Sequence, residues 1–206
     1  MINSLCSEMV ELIHWINAQG WSPATSTNYS LRHPEQPDLC LVSRSGVDKA
    51  LFKSSDLLLM NRQGQQVNSE TPAKSSAETA IHLMLFQQTD CQAILHTHSL
   101  ADTVLSRHYA GQGMIRLSDY ELLKGLRGIT SHDHCIEIPI FPNTQDIDTL
   151  SQDVRQRLRE TPALPGFLIA GHGLYTWGKS LAEAKRHLEV FQFLFNCELE
   201  TLKIAH

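Results

Sequence analysis

Two histidines separated by one residue follow an apolar run in the segment CQAILHTHSL, residues 91–100. In a β-strand alternate side chains point to the same face, so His96 and His98 would project together while Thr97 points away. Two imidazoles at the end of one strand are suited to holding one metal ion. A functional metal site needs more protein ligands than two, so a third must come from elsewhere in the chain.

A third histidine stands at the end of another apolar run. His172 lies in FLIAGHGLYTW, residues 167–177, between Gly171 and Gly173, which let backbone come close to whatever the imidazole contacts. Three imidazoles from two strand ends would form the catalytic type of zinc site, in which a coordination position stays open. The predicted metal ligands are therefore His96, His98 and His172.

A second pair with the same spacing, His132 and His134 in SHDHC, is the competing candidate. It precedes its strand and lies in a polar stretch, which is typical of a solvated loop. We therefore interpret this pair as surface residues. The remaining six histidines stand singly in helical or loop contexts and are interpreted as surface or core residues: His14, His33, His82, His108, His187 and His206.

Three polar segments contain residues suited to binding an anion. AKSSAET, residues 73–79, predicts a helix start, where backbone N–H groups and serine hydroxyls attract anions, and it places Glu78 in the first turn. PATSTNYSLR (23–32) and SRSG (43–46) are polar loops whose N–H and hydroxyl groups could surround a phosphate. Each segment is also explained by helix capping or turn formation alone.

The elements that would position these side chains alternate between helices and strands. Helical spacing predicts helices from the N-terminus to Gly20 and over 75–88, 99–107, 117–126, 146–160 and 180–204. Apolar runs predict strands over 39–43, 50–52, 56–60, 93–98, 136–140, 167–171 and 174–177, with a turn at 61–64. This order predicts an α/β fold of one domain over residues 1–206, with helices flanking a mixed or antiparallel sheet.

The bulk properties of the 206 residues limit the classes of function. A formal charge of -5 gives no reason to expect a nucleic-acid or membrane partner. The acidic, helix-patterned N-terminus is unlike a signal peptide, and no run of about 18 apolar residues predicts a membrane span. The five cysteines are scattered without a Cys-x-x-Cys pair, which is typical of reduced thiols in the cytoplasm.

The order of these motifs along the chain resembles the class II aldolase family. An asparagine loop, a Ser-Gly turn, Ser-x-Glu at a helix start, His-x-His-Ser and a later Gly-His-Gly follow one another between about residues 5 and 200. The resemblance implies a three-layer α/β/α fold with a mostly antiparallel central sheet, assembled as a homotetramer. It also implies one zinc ion per subunit, held by the three histidines named above, and a phosphorylated ketose as substrate.

Five segments are similar to the methylthioribulose-1-phosphate dehydratase branch of that family: GWSPATSTNYSLR, KSSAET, HTHS, YELLKGL and GHGLYTWGKSLAEA. Members of this branch remove water from 5-methylthioribulose 1-phosphate in methionine salvage. The resemblance implies that four residues bind the phosphate group: Asn28, Ser45, Gly46 and Ser76. It implies acid-base catalysis by Glu121, with Glu78 beside the metal as a ligand or as a second acid-base group.

The choice within the family depends on a few positions. Ala77 stands where sugar aldolases commonly carry a second serine, and this difference, like the YELLKGL segment, favours dehydration. Thr27 replaces the usual glycine before Asn28, and SRSG lacks the Thr-Pro of many aldolase turns.

The alternatives are a class II sugar-phosphate aldolase or epimerase, a non-catalytic adducin-type domain, and a zinc hydrolase. The three histidines disfavour the second, and the lack of a His-Glu-x-x-His motif disfavours the third.

Overall fold

The computed structural model describes residues 2–67 and 73–204. Within these ranges the α-helices are α1 (Ile2–Ala18), α2 (Thr79–Gln88), α3 (Leu100–His108), α4 (Ile147–Glu160) and α5 (Leu181–Ile204). The strands are β1 (Asn28–Arg32), β2 (Leu39–Ser43), β3 (Leu57–Asn61), β4 (Ala93–Thr97), β5 (Met114–Leu117), β6 (Ile136–Phe141), β7 (Gly166–Ile169) and β8 (Gly173–Gly178). Among the helices in these ranges, none has the length and apolar character of a membrane-spanning segment.

All eight strands form one mixed sheet in the order β3-β2-β1-β4-β8-β7-β6-β5. Neighbouring strands run antiparallel except β6 and β7, which are parallel. Strand β4, which carries the His-x-His motif, is therefore central. In the register of the sheet, His96 lies opposite Asn28 of β1 on one side and opposite Tyr175 of β8 on the other.

Buried apolar side chains form two clusters on opposite faces of β4. Leu95 belongs to the cluster that contains side chains of α1, α3 and α5, and the adjacent Ile94 belongs to the cluster that contains side chains of α2 and α4. Alternate residues of a strand point to opposite faces, which explains this division. Because both faces of β4 are fully buried, the strand gives the histidines at its end a rigid base.

The turn that follows β4 is fixed by a buried carboxylate. Ser99 caps α3 by accepting a hydrogen bond from the backbone N–H of Asp102 at 3.0 Å, and Asp102 accepts one in return from the N–H of Ser99. Asp102 also accepts hydrogen bonds from the Thr97 hydroxyl at 3.1 Å and from the Gln192 amide of α5 at 2.9 Å. These contacts hold the chain on both sides of His98.

One predicted loop contains a central strand. Residues 28–32 form β1, although the segment 23–32 was interpreted as a polar loop. Tyr29 and Leu31 both point into the first apolar cluster, while Ser30 points to the opposite face, so the alternation of a strand is present in the segment. Because small polar residues surround these two apolar side chains, the segment has the composition of a loop.

One predicted strand is a helical turn. Residues 50–52 were predicted as a strand, but Lys49–Leu51 form a 3₁₀ turn. The Asp48 side chain accepts a hydrogen bond from the N–H of Ala50 at 2.9 Å, and this cap favours the turn over an extended chain. Three apolar residues are too short a run to distinguish the two.

Two further boundaries differ from the predictions. Helix α2 begins at Thr79 rather than at Ser75, because Ser75 forms an isolated β-bridge with Arg44, and Glu78 stands at the N-cap position. The predicted helix over 117–126 is a 3₁₀ helix over Glu121–Gly125, preceded by the unpredicted strand β5.

Candidate metal centre

The structure brings the three predicted metal ligands together. One nitrogen of each ring of His96, His98 and His172 lies within 4.8 Å of the others. The Nε2 atoms of His96 and His98 are 2.7 Å apart, and the ring centroids of His98 and His172 are 4.5 Å apart. This separation allows one metal ion to contact all three rings.

The local structure fixes the orientation of His96 and the place of His172 in the fold. His96 is fully buried, stacks on the Tyr175 ring at 4.0 Å, and bonds through Nδ1 to the carbonyl oxygen of Leu174 at 2.9 Å. This bond turns Nε2 of His96 towards the cluster, as carbonyl partners commonly do for metal-binding histidines. His172 lies in the turn between β7 and β8.

Gly173 allows the ends of β4 and β8 to meet. A Cβ atom at this position would lie 2.0 Å from the carbonyl oxygen of Thr97 and 2.9 Å from the His98 ring. Any side chain here would therefore separate His98 from the turn that carries His172. The glycine predicted to permit a close approach does so.

Burial keeps two of the rings in the form that binds metal. It lowers the pKa of His96 well below its usual value, and the neighbouring His172 lowers it further. Burial is also the main reason that the pKa of His98 falls to about 3, with a further contribution from His96. A metal ion binds neutral imidazole, so these rings need not lose a proton first near neutral pH.

Glu78 adds a carboxylate to the cluster. Its Oε1 lies 3.5 Å from Nε2 of His172, and its Oε2 lies 3.6 Å from Nε2 of His96. The side-chain amide of Asn28 donates a hydrogen bond to Oε2 at 2.7 Å. The residue predicted to stand beside the metal is thus in contact with two of the three predicted ligands.

The predicted anion-binding segments also come together. The N–H of Ser45 donates to the carbonyl oxygen of Lys74 at 2.9 Å, so the turn 43–46 lies beside the segment that precedes α2. The Ser76 hydroxyl accepts a hydrogen bond from the N–H of Glu78 at 3.2 Å, and it lies 3.4 Å from the Asn28 amide nitrogen. A recess next to these groups is lined by Ser76, Ala77, Glu78, 143–145, Ile147, Leu150, Ile169 and His172.

Glu121 does not belong to this group within one chain. Its side chain is 74% exposed and forms an ion pair with Lys124, and His132 lies 4.0 Å away. The hydrogen bond from Lys124 lowers the pKa of the Glu121 carboxyl, whereas a general acid needs a raised one. Glu121 is not among the residues that line the recess beside the three histidines.

The competing histidine pair is a surface feature. His132 and His134 are both exposed, and Nε2 of His132 pairs with Asp133 at 2.8 Å. Neither ring is part of the metal cluster. The interpretation of this pair as surface residues agrees with the structure.

Two buried residues near the site, Lys49 and His82, were not predicted to take part in it. The fully buried ammonium of Lys49 donates to the carbonyl oxygens of Val47 at 3.1 Å and Thr25 at 3.4 Å, beneath the predicted phosphate loops. Burial lowers the pKa of Lys49.

His82 is buried against Asn28 and was interpreted only as a surface or core residue. The sequence signal for the nearness of His82 to Glu78 is their spacing of four residues, which places both on one face of a helix.

The chain belongs to the family described as Class II Aldolase and Adducin N-terminal domain, which matches residues 7–199. The predicted family is thereby confirmed. Within the family, the chain is 42% identical over 204 residues to the methylthioribulose-1-phosphate dehydratase of Xanthomonas campestris pv. campestris (strain 8004), covering 98% of this chain and 92% of the relative. It is 45% identical over 195 residues to the enzyme of the same name from Picosynechococcus sp., covering 94% and 91%.

Solved structures of lower sequence identity share the fold. The L-fuculose-1-phosphate aldolase from Thermus thermophilus superposes with a TM-score of 0.78 at 24% identity, covering 100% of both chains. A sugar-phosphate aldolase from Thermotoga maritima superposes with a TM-score of 0.75 at 18% identity, covering 100% of this chain and 97% of the other. The class II aldolase type of fold predicted from the motif order is therefore confirmed.

Proposed function

We propose that the chain catalyses the zinc-dependent dehydration of 5-methylthioribulose 1-phosphate to 2,3-diketo-5-methylthiopentyl 1-phosphate, a step of methionine salvage. The observation that carries this proposal is the cluster of three imidazoles and one carboxylate in a chain that is 42% identical to a methylthioribulose-1-phosphate dehydratase over 98% of its length. The cluster supports metal-assisted chemistry, and the similarity to the dehydratase supports 5-methylthioribulose 1-phosphate as the substrate.

The residues present fit a zinc ion. His96 is buried and His98 is half-buried, and both rings are neutral near pH 7. His172 completes a set of three nitrogen donors, and Glu78 brings a carboxylate to the same point. When bound, zinc supplies a Lewis acid that polarises a ketose carbonyl. Glu78 has two candidate roles, either as a fourth ligand or as an acid-base group beside the ion.

The reaction needs one base and one acid. A base removes the C3 proton, an acid protonates the C4 hydroxyl so that it leaves as water, and the resulting enol rearranges to the 2,3-diketone. A single carboxylate can perform both steps in turn, because it holds after the first step the proton that the second step requires. We assign both steps to Glu121.

The exposure of Glu121 supports an active site that is shared between subunits. The side chain is 74% exposed in the single chain and lies outside the recess beside the histidines, so an acid-base role for Glu121 calls for a neighbouring copy to bring it there. We propose a homotetramer in which each subunit supplies Glu121 to the metal centre of the next, a head-to-tail arrangement that closes as a ring. Removal of water from Glu121 in such an interface would raise its pKa, as an acid-base group requires.

The phosphate group of the substrate is assigned to the loops beside the metal centre. We propose that Asn28, Ser45, Gly46 and Ser76 contact it, since the turn 43–46 and the segment before α2 lie side by side. The buried ammonium of Lys49 lies beneath these loops and adds a favourable charge for an anion.

We expect Gly46→Ala to raise KM for the phosphorylated ketose several-fold while kcat changes little. Gly46 has a φ of +75°, so a side chain strains the turn that binds a part of the substrate unchanged by the reaction. Steady-state kinetics measure both constants. Gly113→Ala is the matched control, because Gly113 has a φ of +69° and, like Gly46, has no atom within 4 Å of an added Cβ. Equal turnover of the dephosphorylated ketose would exclude a phosphate-binding role for these loops.

The second candidate function is cleavage by a class II sugar-phosphate aldolase, which the similar folds of two such enzymes favour. Incubation of zinc-loaded protein with 5-methylthioribulose 1-phosphate distinguishes the two reactions. Dehydration produces the ultraviolet absorbance of an enolised diketone without a change in carbon number. Breakage of the C3–C4 bond would instead release a three-carbon ketose phosphate and a two-carbon methylthio aldehyde, which would make the protein an aldolase.

We propose that residues 1–206 form one domain of three layers, supported by the apolar clusters of α1, α3 and α5 and of α2 and α4 on the two faces of β4. We also propose a cytoplasmic location, supported by five cysteines that are all free thiols.

A further inference from the structure

A continuous chain of hydrogen bonds leads from the core of the protein to Glu78. The His82 ring is fully buried on α2, and its Nδ1 lies 2.7 Å from the hydroxyl of Ser30. Its Nε2 contacts Oδ1 of the Asn28 side chain. The amide nitrogen of the same Asn28 side chain donates to Oε2 of Glu78 at 2.7 Å. His82 and Glu78 are therefore joined through one amide group.

The hydrogen bonds of this chain run in one direction. The Glu78 carboxylate accepts, so the Asn28 amide must present its NH₂ group to Glu78 and its oxygen to His82. Nε2 of His82 must then carry the proton, and Nδ1 must accept from the Ser30 hydroxyl. Burial lowers the pKa of His82 to about 4, so the ring is neutral near pH 7 and has only this one N–H to donate.

We propose that His82 is a positioning residue for the metal centre, which sets the orientation of the Asn28 amide and thereby the place of the Glu78 carboxylate. The inference rests on the proposed function in one respect, that the three histidines and Glu78 surround a metal ion. Without the N–H of His82, the Asn28 amide loses the donor that holds its oxygen, and only the contacts of its NH₂ group with Glu78 and Ser76 remain to orient it. An amide held at one end only can turn its oxygen towards the carboxylate, which would repel it.

The surroundings of His82 leave the ring little freedom. The Tyr175 ring packs edge-on against it with a centroid separation of 5.6 Å, and the same Tyr175 stacks on His96. The Tyr175 hydroxyl is buried without a well-directed partner among the described residues. Tyr175 thus contacts both the ring that begins the hydrogen-bond chain and a ring of the metal cluster.

Zinc affinity measured by competition with a chromophoric chelator tests the inference without substrate. We expect His82→Leu to weaken zinc binding about 10–100-fold, the usual cost of losing an outer partner of a metal site. In a Glu78→Gln background the same replacement should cost almost nothing, because the carboxylate that His82 positions is already absent. His82→Gln keeps an N–H donor and should retain most of the affinity.

Two further variants separate positioning from packing. Ser30→Ala removes only the hydroxyl that fixes the His82 tautomer, so a smaller loss that again disappears in the Glu78→Gln background is expected even if His82→Leu does not fold. His187→Leu is the matched control, since His187 is also buried with both ring nitrogens bonded, to the Trp177 carbonyl and the Arg127 N–H, away from the site. It should leave zinc affinity unchanged.

The outcomes are distinct. Equal losses for His82→Leu and Ser30→Ala with and without the Glu78 carboxylate would overturn the inference and leave His82 a packing residue, as would unchanged affinity in folded variants. Because the measurement needs no substrate, the predicted coupling in a protein that does not dehydrate 5-methylthioribulose 1-phosphate would support the inference and reject the proposed function.

Discussion

His98→Ala should lose bound zinc and dehydration activity together. Three imidazoles form the cluster, and a site reduced to two of them rarely holds the ion at useful affinity. We expect the same result for His96→Ala and His172→Ala. Elemental analysis of the purified variants measures zinc per chain, and the ultraviolet assay measures activity on the same samples.

The exposed histidine pair provides the matched control for these variants. His132→Ala and His134→Ala remove rings that lie outside the cluster, so zinc content should stay at the level of the unmodified protein. Loss of zinc from these two variants, with zinc retained in the other three, would show that the metal centre has been assigned to the wrong histidines.

Glu121→Gln should reduce kcat by roughly 10²–10⁴-fold, the usual contribution of one positioned acid-base group. The replacement keeps size and hydrogen bonding but removes the titrating carboxyl, so zinc and substrate should still bind. Exchange of the substrate C3 proton with deuterated solvent separates the two roles. Exchange that survives without dehydration indicates that Glu121 acts only as the acid, whereas loss of both indicates that it is also the base.

Mixed tetramers test whether Glu121 acts in a neighbouring subunit. Glu121→Gln and His98→Ala chains are each expected to be inactive, but a tetramer of both should contain about a quarter of sites with an intact metal centre and an intact neighbouring Glu121. Co-expression with two different tags allows such tetramers to be purified. Mixtures that stay inactive would place both residues in one chain's site, and full activity of Glu121→Gln would leave Glu78 as the acid-base candidate.

Helices and strands were predictable from the sequence where the pattern of apolar residues was clear. The amphipathic spacing of 146–160 and the apolar run of 39–43 predicted α4 and β2 closely, because burial of one face or both faces decides such elements. Strand β1 was missed since its pairing with β2 and β4, rather than its own composition, makes residues 28–32 extended. Long-range pairing of this kind leaves little trace in a short polar segment.

The cluster of three histidines was more predictable than the residues around it. The three histidines each end an apolar run, which is a local signal, and the sheet then brings them together. The contact of His82 with Asn28 joins residues 54 positions apart, so the helical spacing of His82 from Glu78 does not predict that contact. Glu121 is predicted only by family resemblance, since the surface that would enclose it belongs to another subunit in the proposed assembly.

The most direct test of a single-zinc dehydratase is a titration of the metal-free protein. Zinc is removed with a chelator and returned in steps, and the initial rate of 5-methylthioribulose 1-phosphate dehydration is recorded after each addition. We predict that the rate rises in proportion to added zinc and levels at one zinc ion per chain, while His98→Ala stays inactive throughout. Dehydration at the full rate in the metal-free protein would contradict the proposed function.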